Sequence, residues 1–340
     1  MRWRKAREPF GLGDEPVAAF WDWWLTAGAS QATRLVSGGG MGGLPEEIGR
    51  LVDAINPGLT WEVGPGTVAA HALVVTGGGV AEPRRDAERW FRAAPVSGTA
   101  WEYHPSRQPN PRALQDRLRF AGIDLDLSAF RFATTIDDPR AVLDIAIFHP
   151  LFGRLSLDEK QHVQFLVLDQ LLGEDEVVRW IGVIDIVDAN PPDSVDGAGL
   201  RRSVAGLAER TKPTTRLISG QRDGHRFVAF LAHPLKWIDH LLLDTRVSIV
   251  LPYPDQDAAG LPTELSSGRI SEFQGNLRSS LGARGHLTTR RVMNGAAALH
   301  LYIDQTDTQA RHAVDTAAAT WPGSTVTARP DPAWERAENL

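Results

Sequence analysis

The dipeptide Asn294-Gly295 limits what this chain can fold into more than any other feature, because it separates two runs of strand character. The central residues of a tight hairpin need positive φ, which asparagine and glycine tolerate best. Residues 286–292 and 296–303 must then pair as antiparallel neighbours, with Ala297, Leu299, Leu301 and Ile303 on one face. Upstream, residues 245–251 alternate like a half-buried strand and stop at Pro252, Pro254 and Asp255. Between them Ile270, Phe273, Leu277 and Leu281 recur at helical spacing. That spacing predicts a helix over 266–281, with Ser266 or Ser267 as its cap and Gly282 past its end. Downstream, 307–319 predicts an alanine-rich helix with Asp304 or Thr306 near its start, and 324–329 a last strand. The succession is βαββαβ, the ferredoxin-like arrangement. It leads one to expect a four-stranded sheet with helices on one face and Arg290, His300 and Tyr302 on the free face.

A chain of 340 residues can bury two sizeable cores, so the expected class is α+β: an N-terminal mixed α/β domain followed by the ferredoxin-like one. The Pro/Gly/Asp-rich stretch 189–199 is the expected linker. The domains then run 14–188 and 245–335, with 200–244 as a connecting helix and strands. In the first domain, 14–27 predicts a helix with Val17, Phe20, Trp21 and Trp24 on adjoining positions. A face that large and aromatic is either packed into a core or offered to a partner helix. The glycines at 37–43 suggest a flexible linker, and 45–55 a second helix. Strands at 60–63 and 71–76 are joined by Gly64-Pro65-Gly66, and Gly77–Gly79 lead into a helix at 82–93. Strand, glycines and helix can cradle a phosphate, but the GxGxxG spacing is missing and Glu82 and Asp86 oppose an anion. Further strands are expected at 100–103, 123–127, 130–136, 142–148 and 180–187, with the longest N-terminal helix at 155–172. Pro105, Pro109 and Pro111 make a rigid loop.

The absence of cysteine removes disulfides, thiolate metal sites and cysteine nucleophiles. The basic opening MRWRKAREPF has no apolar segment after it and no run is long enough to span a membrane, so a soluble cytoplasmic chain is expected. A net charge of −6 gives no general pull towards nucleic acid. Residues 245–334 hold eight arginines against six aspartates and two glutamates, and an RNA-binding sheet face would need more aromatics than Tyr302 supplies. None of the ten histidines lies in HxH, HxxxH or HExxH spacing, so no metal or cofactor is expected. There is no GxSxG or SxxK nucleophile motif. Acidic pairs stand at Asp124/Asp126 and Glu174/Asp175/Glu176, where structural roles are expected.

Several short runs resemble a bacterial family of unknown function. They are Gly260-Leu261-Pro262, the helix 266–281, the Asn294-Gly295 hairpin, LHLYID at 299–304 and Asp331-Pro332-Ala333-Trp334. Ala94-Pro95, Trp101 and LDQLLGE at 168–174 extend the resemblance into the first half. The C-terminal domain of that family is similar to the regulator of ribonuclease E activity B, an inhibitor of ferredoxin-like fold. The resemblance implies action by protein–protein contact and carries over no functional residue. Together these readings lead to the expectation of a non-enzymatic protein-binding or regulatory chain. Its candidate surface is Phe20, Trp21, Trp24, Arg290, His300 and Tyr302. An enzyme with a small-molecule pocket between the domains, and weak RNA binding by the C-terminal sheet, are the alternatives.

Overall fold

The computed structural model describes residues 15–38 and 42–337. The basic opening, the helix start expected at Asp14 and the centre of the 37–43 linker lie outside them. The chain is α+β, and its described residues divide into two compact units at Lys212/Pro213. The division therefore falls at Lys212/Pro213 and not at 189–199. That stretch instead bridges back, Val195 exchanging two 2.8 Å backbone hydrogen bonds with Phe132. The helix after it buries Leu200, Val204 and Leu207 in the first unit's core.

The first unit begins with α1 (Glu15–Trp23), a π-turn at Trp24–Gly28, α2 (Ala29–Val36) and α3 (Leu44–Ile55). Strands β1 (Thr60–Pro65), β2 (His71–Thr76) and, after α4 (Ala81–Arg92), β3 (Trp101–His104) form one sheet. Its order is β1-β2-β3, antiparallel then parallel. A hairpin follows, β4 (Arg117–Phe120) with β5 (Ile123–Asp126), of which the first strand was not expected. Strands β6 (Arg131–Asp137), β7 (Val142–Phe148) and β8 (Ile181–Ile186) make a second three-stranded sheet. Between β7 and β8 run α5 (Leu157–Leu172) and α6 (Glu174–Trp180), and α7 (Gly197–Arg210) closes the unit. A reciprocal capping box starts α5: Glu159 accepts from Ser156 N at 2.8 Å, and Ser156 accepts from Glu159 N at 3.4 Å.

The aromatic face of α1 lies in a core. Phe20 and Trp24 are fully buried and Trp21 nearly so, packed with Trp90, Trp101 and Tyr103. Trp21 stacks on Trp90 with centroids 4.7 Å apart. The indole N–H groups of Trp21 and Trp24 donate to the Trp90 carbonyl at 2.9 Å and the Tyr103 hydroxyl at 3.0 Å. These rings are thus no docking face. Burying them releases more free energy than presenting them to water, and their polar edges are satisfied inside.

The second unit holds β9 (Thr214–Arg222), β10 (His225–His233), β11 (Thr245–Pro252), α8 (Glu264–Leu281), β12 (Gly285–Met293), β13 (Ala296–Ile303), α9 (Thr308–Ala319) and β14 (Thr325–Pro330). The βαββαβ succession is present, and Asn294 and Gly295 take φ of 47° and 73° in its hairpin. The sheet has six strands in the order β14-β11-β13-β12-β10-β9, where four were expected. The β9–β10 hairpin pairs with the edge of β12, which would otherwise leave a row of unpaired backbone groups. The α8 cap expected at Ser266 or Ser267 is not made: the N-cap position is Thr263, with no side-chain cap, and Ser266 is buried. At α9 the Asp307 carboxylate caps, accepting from Gln309 N at 2.8 Å and Ala310 N at 3.0 Å.

Candidate functional site

Two of the expected surface residues are misplaced by the sequence pattern. A bulge between Leu287 and Thr289 shifts β12 by one residue and turns Arg290 to the helix-covered face. There its guanidinium lies 4.2 Å over the Phe230 ring and 3.2 Å from Ser271 Oγ on α8. Tyr302 is fully buried, stacked on Trp334 at 4.3 Å, and donates to Asp331 at 2.6 Å. His300 does face away from the helices but is 8% exposed, its Nδ1 2.8 Å from Ser248 Oγ. The expected surface therefore does not assemble.

A polar cleft of about 820 Å³ assembles instead within the first unit. Its walls are β1, β3, the proline-rich loop and the end of α5, which bring Glu62, Glu102, His104, Arg107 and Asp169 together. The loop is held by Gly173, whose φ of 84° joins α5 to α6 and where a Cβ would meet Pro109 Cδ at 2.8 Å. Glu174 N donates to the Arg107 carbonyl at 3.0 Å and Asn110 N to the Gln170 carbonyl at 2.9 Å. These contacts place the Arg107 guanidinium 3.3 Å from Glu62, 3.5 Å from Asp169 and 3.8 Å from Glu174. One cation thus faces three carboxylates.

The charges within this cluster are unequal in environment. Glu174 is buried, and its carboxylate accepts from Thr76 Oγ1 at 2.5 and 2.6 Å and from Gly79 N at 2.9 Å. The glycine turn that could have held a phosphate is therefore filled by the protein's own carboxylate. Beside it, Asp175 pairs with Arg84 through two bonds of 2.9 and 2.8 Å. Asp169 is 8% exposed, and burial, together with the neighbouring charge of Glu174, pushes its carboxyl up to about 7 against the opposing pull of Arg107. Glu102 goes the other way. Burial alone would raise it, but the N–H groups of Thr67, Ala69 and Val68 at 2.7 to 2.8 Å and His104 at 3.1 Å hold it well below the usual carboxylate range. Two carboxyl groups with proton affinities pushed apart in one cleft is the arrangement acid–base chemistry uses.

No family model, curated protein or solved structure matches this chain.

Of the acidic pair Asp124/Asp126, Asp126 accepts from Ser128 N at 2.9 Å and Asp124 is exposed. Among the described residues no three histidine or acidic side chains converge as a metal ion would require, and no helix is long and apolar enough to cross a membrane. Asp169, Arg107, Glu62 and Glu102 were not singled out from sequence. One signal was available: Asp169 interrupts the apolar run Val167-Leu168…Leu171-Leu172, and a carboxylate on the buried face of a helix needs a reason.

Proposed function

We propose that the first unit binds a small polar ligand carrying a positive charge, of the amine or guanidine class, in the Glu62–Arg107–Asp169 cleft. The observation that carries this reading is the buried Asp169, its carboxyl pushed up to about 7, which shares one arginine with two other carboxylates. A ligand cation would supply the missing positive charge and leave Asp169 ionised, and Asp169 could exchange a proton with it near neutral pH. Calorimetric titration of the full chain with a series of amines and guanidines tests it. Binding that is lost in Asp169→Asn supports the reading; heats that are absent throughout, or unchanged in that variant, remove it.

A second reading is favoured by the other unit. Its βαββαβ succession with strand order β14-β11-β13-β12 supports a ferredoxin-like assignment, extended by one hairpin. A groove of about 920 Å³ between α8 and α9, floored by Phe273, Ala313, Ala317 and Trp321, supports the protein-contact role implied by the resemblance to the ribonuclease regulator. Adding the purified chain to a ribonuclease E cleavage assay tests that role, and undiminished cleavage at micromolar concentrations removes it.

A further inference from the structure

The sheet face of the second unit turned away from α8 and α9 carries an unusual set of charges. Ser248 on β11 and Thr289 on β12 pair with His300 on the central strand β13. Arg246 pairs with Tyr302 and Arg291 with Ala298, so the two arginines are diagonal neighbours of His300 on opposite sides of it. Diagonal neighbours on one sheet face lie about 7–8 Å apart, within reach of an arginine side chain. Burial and the charges of Arg246 and Arg291 keep the His300 ring neutral, lowering it to about 4. Ser248 Oγ lies 2.8 Å from Nδ1, and in the tautomer in which the hydroxyl donates there the neutral ring carries its proton on Nε2. No described residue accepts that proton.

Arg246 is short of acceptors as well. Arg246 Nε is buried and has no hydrogen-bond partner. The acid that bears on Arg246 is Asp331, which is already engaged by Tyr302 Oη at 2.6 Å and by the N–H groups of Glu335 and Arg336 at 3.0 and 3.1 Å. Arg329 and Arg336 add to the positive field on Arg246. Arg291 is made less basic by burial and by Arg222 and Arg246, with no carboxylate offsetting them. Folding has thus gathered half-buried cations around a neutral histidine at a desolvation cost that Tyr302 and Asp331 offset only in part at Arg246 and that no carboxylate offsets at Arg291.

We propose that this face is a binding site for an oxyanion of the phosphate class, held between Arg246, Arg291 and the Nε2–H of His300. Two guanidinium forks and one imidazole donor match a tetrahedral dianion, which takes several charge-assisted hydrogen bonds at once. The site is separate from the acidic cleft, whose charge would repel the same ligand.

The test is a titration of the full chain with sodium phosphate at constant ionic strength, with chloride replaced stepwise, read from the histidine ring signals by NMR. A saturable shift of the His300 signal is expected, with a rise in its proton affinity. Loss of one arginine donor from a charged acceptor corresponds to about tenfold weaker binding or more. Arg246→Gln and Arg291→Gln are each expected to weaken binding by about that factor. Arg269→Gln, which alters a cation lying over Trp321 on the helix face, leaves it unchanged. A phosphate monoester arm separates free phosphate from a phosphorylated metabolite by which binds tighter. No saturable shift, or a shift that survives both arginine variants, overturns the proposal. Tight, salt-sensitive binding of single-stranded RNA with no response to phosphate overturns it in favour of a polymer ligand.

Discussion

Asp169→Asn is expected to make the first unit more stable above neutral pH while leaving it unchanged near pH 4. The folded state holds the Asp169 carboxyl at about 7, against an ordinary value of 3.8. Because its folded value is raised, the folded chain binds the proton more tightly than the unfolded chain between those limits. Stability attributable to Asp169 is therefore intact below pH 3.8, falls as pH rises from there to about 7, and is flat above. Each tenfold change in proton affinity is worth about 1.4 kcal/mol, so the whole interval is about 4 kcal/mol. The group is 8% exposed, so solvent screening trims that figure little. Asparagine keeps the shape and carries no charge, but it gives up the 3.5 Å contact with Arg107. A net gain of about 2–4 kcal/mol at pH 8 is the expected outcome. Urea denaturation of wild type and variant from pH 4.5 to 8.5 measures the difference, with hydrogen exchange in α5 reporting on the first unit alone. A carboxyl ¹³C titration of the wild type gives the Asp169 value directly. A stability difference that does not change with pH, or a carboxyl titrating near 4, would refute the reasoning.

Three further outcomes follow from the same contacts. Glu174→Gln removes the negative charge beside Asp169 and releases Arg107 towards it, so the Asp169 carboxyl should titrate lower by ¹³C NMR, at a cost in stability from the altered Thr76 and Gly79 contacts. Glu102→Gln weakens the clasp on the 66–70 turn. Since the folded value of Glu102 is depressed, its contribution is present above 4.5 and lost as pH falls below that, so wild type and variant should converge in acid when compared by urea denaturation. Trp24→Ala should cost about 3–5 kcal/mol by chemical denaturation, because it empties a fully buried site and strands the Tyr103 hydroxyl; an unchanged midpoint would mean that α1 is not core.

Much of the secondary structure could be read directly from the chain. Asn294-Gly295 needed positive φ whatever surrounded it, and the helices now seen as α5, α8 and α9 carried their apolar spacing in the sequence. Local rules determine such features, because a turn or an amphipathic face depends on residues a few positions apart. The tertiary structure alone decided the rest. One extra residue at the Leu287/Thr289 bulge moved Arg290 across the sheet, which no alternation pattern records. The β9–β10 hairpin joined an edge that became available only once β12 was paired. Tyr302 looked like a surface aromatic until Trp334, 32 residues further on, covered it. The acidic cleft needed Glu62, Arg107 and the Asp169–Glu174 segment from three separate stretches, and the state of Asp169 depends on burial and on its neighbours' charges. Electrostatics acts through space, so the sequence specified the carboxylates while only their approach to one arginine gave them unequal proton affinities.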